Sequence, residues 1–332
     1  MSALQQLRMG QRAGQHTTQR TRLHQCGAAL LAAMLTVTLV ATFAATAMWQ
    51  QWRAIEVETA ERARVQSAWI LIGALDWSRL ILYEDTRSGS SDHLAEPWAV
   101  PLEEARLSTF LAADRGVSQA DDASTDTTDA FLSGQILDLQ SRMNLANLVE
   151  NNAVAPEAKA QFARLFARLG LPPGELDALA EALRQAQDPG STTAPLMPPT
   201  LAQLTWLGVA PATVAALTPH AVLLPQRSKL NLNTAGAEAL MASMEGLDQA
   251  GANKLLAVRE LQHFRTLDDV RALLGQNAHI NPGAHDVKSN YFEVRGRLRL
   301  GDTTVYERSL VQRQNQSVST FWRERGASAS TP

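Results

Sequence analysis

Two stretches of this chain bring side chains of reactive type close together. Ser90, Ser91, Asp92 and His93 are consecutive and hold the residue types of a nucleophilic triad. Triads are assembled in space from separate segments, however, so a sequence run of these residues is not one. An acidic, serine- and threonine-rich run from Asp114 to Ala130 carries Asp121, Asp122, Asp126 and Asp129, oxygen ligands of the kind that calcium takes. It lacks the D-x-D-x-D-G-x5-E order of a calcium loop and reads as a solvated acidic loop. The seven histidines (16, 24, 93, 220, 263, 279 and 285) show no HExxH or Cys/His ligand spacing, and neither GxSxG nor a P-loop occurs. The sequence therefore offers no catalytic residues, no metal ligands and no cofactor-binding residues, and the chain is not read as an enzyme.

The stretch from Arg20 to Trp52 is the more informative one. Between Ala28 and Met48 there is no charged residue, no proline and no glycine. About 20 residues at ~1.5 Å rise each cross the ~30 Å core of a bilayer, so this block is long enough to span. Arg12, Arg20 and Arg22 precede it with no acidic residue, which places the N-terminus in the cytoplasm. Trp49 and Trp52 fall at its exit, where aromatic rings settle. A secretory signal core runs only ~7–15 residues and stops. Here Ile55, Ala60, Ala63, Ala68, Ile72, Leu75 and Leu80 continue a helical spacing through charged residues, which predicts one helix of about 55 residues that leaves the membrane.

The other elements follow in order. A loop with Gly89, Pro97 and Pro101 ends the helix, and Gly134–Gln140 alternates as a strand. Asn144 and Asn147 are placed to close turns by bonding nearby backbone. From Pro156 to Gly283 the pattern is helical, with Phe162, Leu165, Phe166 and Leu169 on one face and Gly170 as a stop, then Leu176, Leu179 and Leu183. Thr234 is expected to cap one helix, and Thr266 with Asp269 to form a capping box for the last. Tyr291–Leu300 alternates Phe292, Val294, Leu298 and Leu300 against Glu293, Arg295, Arg297 and Arg299, read as a solvated strand face. Gly301-Asp302 is a hairpin turn, Thr303–Gln312 the returning strand, and the tail after Gln314 is expected to be disordered.

The 332 residues allow one to three domains, and a 45% hydrophobic content is enough for a sizeable core. The net charge of −3 gives no hint of a nucleic-acid partner, and the single cysteine, Cys26, lies ahead of the apolar block. Low mean hydropathy beyond the first helix excludes a second span.

A short basic leader, Gly27, an apolar helix from Ala28 and an amphipathic continuation together resemble a type IV pilin-like precursor. The resemblance implies cleavage by prepilin peptidase between Gly27 and Ala28 and methylation of the new N-terminus. Ala32 stands at the fifth mature position, where major pilins carry glutamate. The order of DHLAEPWA (Asp92–Ala99), LDLQSRMNLANLV (Leu137–Val149) and LNLNTAGAEAL (Leu230–Leu240), with strands on either side of a helical block, resembles the general secretion pathway protein K family of type II secretion minor pseudopilins.

That resemblance implies an α+β pilin-like fold: a long N-terminal transmembrane helix packed on a small antiparallel sheet, plus a large inserted all-α domain. It divides the chain into a leader (1–27), the N-terminal helix (28–85, with 28–49 transmembrane), the first part of the head (86–150), the helical insert (151–285), the C-terminal strands of the head (286–314) and a disordered tail (315–332). It implies a non-enzymatic protein in the bacterial inner membrane, N-terminus cytoplasmic and C-terminal domain periplasmic, at the tip of a pseudopilus that supports protein secretion through the outer-membrane secretin. The implied partners are the I and J minor pseudopilins, the major pseudopilin, prepilin peptidase and the inner-membrane secretion platform. Calcium, known in that family, is not carried over, because Ala182–Pro199 holds only Asp188 as an acidic residue.

A second resemblance points elsewhere. LNLNTAGAEAL…GLDQAGANKLL…HFRTLDDV is similar to the helix-hairpin-helix module of membrane-tethered DNA receptors, whose hairpin glycines expose backbone N–H groups to phosphate. Here Gly246-Leu247-Asp248 puts a carboxylate at that place, and residues 231–275 carry a net charge of −2, the wrong sign for phosphate. A structural use of the hairpin is the reading favoured.

Overall fold

In the computed structural model the described residues are 22–89, 91–109, 130–188, 190, 192–275, 279–301, 303–315 and 317–326. The chain divides into two compact units between Val65 and Gln66. Helix α1 (Arg22–Ser88) contributes to both and, at 67 residues, is longer than its sequence periodicity predicts.

In the first unit the side chains of α1 from Gly27 to Arg62 are exposed, and its most apolar 18-residue window has a mean hydropathy of 2.2. Its few polar groups are satisfied within the helix. The hydroxyls of Thr36, Thr38, Thr42 and Thr46 donate to backbone carbonyls three or four residues earlier, at 2.8–3.0 Å. A hydrocarbon environment requires such internal pairing. Past the apolar block, Glu58–Arg62 and Glu61–Arg64 form ion pairs along the helix.

In the second unit the same helix buries Ser67, Leu71, Leu75, Ser78, Leu82 and Asp85, a three-and-four spacing that makes one face. That face packs on a five-stranded antiparallel sheet of order β1-β2-β9-β10-β11: β1 (Leu102–Arg106), β2 (Ala130–Asp138), β9 (Tyr291–Leu300), β10 (Thr303–Gln314) and β11 (Ser317–Gly326). Leu132 and Ile136, with Phe292, Val294, Leu298 and Val311, receive the helix. Gly134 and Gly296 face each other across β2 and β9, and a Cβ on Gly296 would sit 3.1 Å from Leu71 Cδ2. The glycine pair lets helix and sheet approach.

Several expectations need correction. The tail was expected to be disordered, but Ser317–Gly326 forms β11, which pairs with β10, and Asn315 after β10 adopts φ 54°, a left-handed conformation that asparagine tolerates. Glu307, 5% exposed, accepts from both Arg323 and Arg325, and the Arg79 guanidinium of α1 donates to Val318 O. A register break between Leu310 and Val311 puts Phe321 out of phase, which hides the alternation of β11 in the sequence. β1 has no counterpart among the elements expected from the sequence. The acidic run 114–129 lies outside the described residues.

The helical block begins earlier than residue 151. β3 (Met143–Asn144) pairs in parallel with β6 (Ala221–Val222), and Met143, Leu145, Leu148 and Val149 sit in the helical core rather than in the head. A short hairpin, β4 (Val149–Glu150) and β5 (Ala153–Val154), leads into α2 (Pro156–Arg168) and α3 (Pro173–Ala186), which are joined by Gly170 at φ 68°. α4 (Pro211–Leu217) precedes β6, and β7 (Leu230–Asn231) pairs with β8 (His285–Asp286). Between them lie α5 (Ala237–Ser243), α6 (Gln249–Leu261) and α7 (Leu267–Leu274). The Thr266–Asp269 capping box is present, with Thr266 N donating to Asp269 Oδ2 at 2.9 Å and Asp269 N to Thr266 Oγ1 at 3.3 Å. Thr234 does not cap: Gly236 holds the N-cap position of α5, and the Thr234 hydroxyl is used elsewhere.

Candidate functional site

The three sequence stretches quoted above meet at one place, the buried contact between the head and the helical block. β2 ends at Asp138, 4% exposed, whose Oδ2 accepts from Thr234 Oγ1 (2.5 Å), Ser289 Oγ (2.7 Å) and Asn231 Nδ2 (3.1 Å). Its Oδ1 accepts from Gln140 N at 2.8 Å and so turns the chain out of the sheet. Asn231 Nδ2 also reaches Asp92 O, and its Oδ1 accepts from Asn233 N. Gln140 bridges outward, donating to Lys229 O and accepting from Asn290 N. Asn144 closes a local turn and also binds across the block, whereas Asn147, expected to do the same, is bonded instead to distant backbone. Asn144 Oδ1 accepts from Ala146 N and Leu224 N, while Asn147 exchanges two bonds with Ser228.

Below this lies the charged part. Arg313, on β10, donates through Nη1 to Asp85 Oδ2 (2.7 Å) and through Nη2 to Asp92 Oδ1 and Ser289 O. Asp92 Oδ2 accepts from Ser289 N at 2.7 Å. Glu96 Oε2 accepts from Trp98 Nε1 (2.6 Å) and His93 N (2.9 Å). Helix α1, the 91–98 loop, β10 and the chain leaving the helical block are thereby tied at one point.

Burial dominates the electrostatics. It pushes the Asp138 carboxyl up to about 6 against the bonds from Thr234, Ser289 and Gln140. It raises Asp85 to about 6, with Glu96 and Asp92 adding repulsion against the pull of Arg313, and it raises Glu96 as well. Burial opposes the charge of Arg313, yet Asp92 and Asp85 hold its pKa above the usual value. Carboxylate oxygens of Asp85, Asp92 and Glu96 lie within 4.8 Å of one another, and Arg313 is bonded to two of the three residues. A guanidinium supplies the positive charge here, and the cluster serves as an ion-paired joint; no metal is assigned to it.

The candidate residues read from sequence are thus distributed. Ser90 lies outside the described residues; Ser91 and Asp92 are buried, and Asp92 is engaged by Arg313 and Ser289 as part of a joint rather than a triad. Gly27 and Ala28 lie in α1, exposed. Asp248 caps α6, its Oδ1 accepting from Gly251 N at 2.7 Å, so a carboxylate occupies the helix end that a phosphate would need. Accordingly the full chain in detergent should leave a labelled DNA duplex unbound at low micromolar concentration and physiological salt. Micromolar binding that weakens steeply with added salt would reverse that reading. Sequence reasoning missed Asp138, Ser289 and Arg313. The signal for Arg313 was weak, because the side of β10 that carries it alternates Val305, Glu307, Ser309 and Val311, a mixture in which an arginine does not stand out.

Two family models, both described as type II secretion system protein K, match residues 141–226 and 230–288. They abut at the segment held by Asn144, Asn147 and Gln140. A type II secretion system protein K of Pseudomonas aeruginosa is 29% identical over 320 residues, covering 88% of this chain and 90% of that protein. Among solved structures, a chain of the GspK–GspI–GspJ complex of the enterotoxigenic Escherichia coli type 2 secretion system superposes with a TM-score of 0.60. The match covers 81% of this chain and 99% of that one, and at 18% identity it speaks for the fold.

Proposed function

We infer from these matches that the chain is a member of the type II secretion system protein K family and a minor pseudopilin of that system: a membrane-anchored, non-catalytic part of the pseudopilus that supports protein secretion. The observation that carries the reading is the joint itself. The sequence stretches that give the family resemblance are those whose side chains lock the helical block onto the pilin-like head. A block fixed in this way obstructs the stacking of another subunit above it, which suits the end of a filament. Ala32 at the fifth mature position removes the glutamate that filament subunits offer their neighbours.

The finer reading rests on the pilin-like pattern. Prepilin peptidase cuts between Gly27 and Ala28, the anchor lies in the bacterial inner membrane with its N-terminus cytoplasmic, and the head is periplasmic. The major pseudopilin, prepilin peptidase and the inner-membrane secretion platform are the further partners of this reading. The I and J subunits are the direct partners proposed, by analogy with the solved complex that this fold resembles. Trp69 and Leu80 on the upper part of α1 are 68% and 53% exposed, apolar area that the head's own sheet does not use.

Mixing the full chain in detergent with purified I and J subunits should give a stable one-to-one-to-one complex by light scattering. The double change Trp69→Ala with Leu80→Ala should weaken it at least tenfold, about 1.4 kcal/mol. A chain that ignores I and J but polymerises alone would overturn the tip reading.

A further inference from the structure

His93 belongs to the 91–98 loop of the head, and His263 to the turn between α6 and α7 of the helical block. Their rings stack with centroids 3.7 Å apart and planes 13° from parallel. Each imidazole is held from behind. Ala95 N donates to His93 Nδ1 at 3.3 Å, so the neutral ring carries its proton on Nε2, which faces Glu96 Oε1 at 3.7 Å. His263 precedes Phe264, whose N–H and C=O are both bonded to the Asn233 amide at 2.9 Å. The stack is therefore a contact between two separately anchored loops.

We propose that the His93–His263 stack is a proton-operated contact between the pilin-like head and the helical block, closed near neutrality and released in acid. Two neutral imidazoles stack face to face; two imidazolium rings at this distance repel. A proton on His93 Nδ1 would also set a donor against the Ala95 N–H. The charged and titratable groups around the pair are Asp92 and Glu96 beside His93, and Arg265 beside His263. Asp92 is already committed to Arg313 and Ser289 N; Glu96 takes the Trp98 and His93 N bonds on Oε2 and leaves Oε1 beside His93, but burial raises its own pKa, so its hold on an imidazolium weakens in the same acid range. Arg265 opposes charge on His263.

Burial lowers the pKa of both rings, and for His263 the neighbouring His93 and Arg265 lower it further. The contact therefore stabilises the fold above the ordinary imidazole range and loses that contribution as the pH falls through the lowered values. The raised carboxyls of Asp85, Glu96 and Asp138 act in the opposite sense, favouring the fold as the pH falls. Loosening of these loops in acid cannot come from them.

Amide hydrogen exchange on the full chain in detergent tests the proposal. Wild type, His263→Phe and His93→Phe would be compared at pH 7.5 and 5.0, with rates corrected for intrinsic exchange. Phenylalanine keeps an aromatic stack and removes the titration. In wild type, peptides over 91–98 and 262–266 should lose protection severalfold on going to pH 5.0. The variants should keep their protection, and α2 should respond alike in all three proteins. If one variant fails to fold at pH 7.5, the other carries the comparison. An equal acid response in wild type and variants, or none in wild type, overturns the proposal.

Discussion

Arg313→Met should cost the fold of the head about 3–5 kcal/mol, the loss expected when one member of a buried ion pair is removed and its partners stay behind. Arg313, Asp85 and Asp92 side chains are each 8% exposed or less, so water cannot replace the guanidinium. A loss of that size is a large part of the 5–15 kcal/mol that holds a typical domain together. Chemical denaturation of the full chain in detergent, followed by tryptophan fluorescence, measures it. Trp98 reports on the joint, since it is 2% exposed and bonded to Glu96.

The deficit should also depend on pH. Asp85 already titrates near 6, mainly because of burial, and losing Arg313 removes the interaction that holds it down. A folded carboxyl raised above its unfolded value of 3.8 stabilises fully below that value and loses the contribution as the pH rises through about 6. Arg313→Met should therefore be less damaged at pH 5 than at pH 8, and adding Asp85→Asn and Asp92→Asn should restore part of the loss at pH 8. A deficit below 1 kcal/mol, or one that is independent of pH, would mean that the joint is not held by this charge arrangement.

The difference between what the sequence reveals and what it hides follows the range of the interactions. The membrane helix is legible because a bilayer tolerates only long uncharged runs, and Ala28–Met48 is one. The helices with Phe162, Leu165 and Leu179 are legible because their apolar residues recur at local spacing. The Thr266 capping box is legible because both partners lie within one turn. Thr234 shows the limit of local reasoning. It stands before a helix like a cap, yet its hydroxyl reaches Asp138, 96 residues away in sequence. β11 shows another limit, because it is defined by its pairing with β10 and by a bulge at Phe321 that breaks its alternation. Residues 143–149 look like head from their position after β2, but their side chains belong to the helical core. The joint was visible in sequence only as three polar motifs without a stated purpose; Asp85, Ser289 and Arg313, which complete it, come from parts of the chain with no motif at all.

Gly27→Val should leave a full-length precursor in the membrane and abolish secretion, without disturbing the fold. The expected effect is all-or-none, because the reading assigns Gly27 as the residue after which prepilin peptidase cuts. The structure makes this a clean test. Gly27 lies within α1, and a Cβ built there meets no atom within 4 Å, so valine introduces no clash. Glycine is the poorer helix former of the two, by a few tenths of a kcal/mol, so α1 is not weakened either. The uncharged run from Ala28 and the basic leader are unchanged, and the precursor should still insert. The head should still bind the I and J subunits when extracted, which separates a processing defect from misfolding. Mass spectrometry of the wild-type protein should find an N-methylated Ala28 terminus, and of the variant an uncut chain. If the variant matures like wild type, Gly27 does not direct the cut, and the anchor is a plain transmembrane helix carrying a pilin-like head.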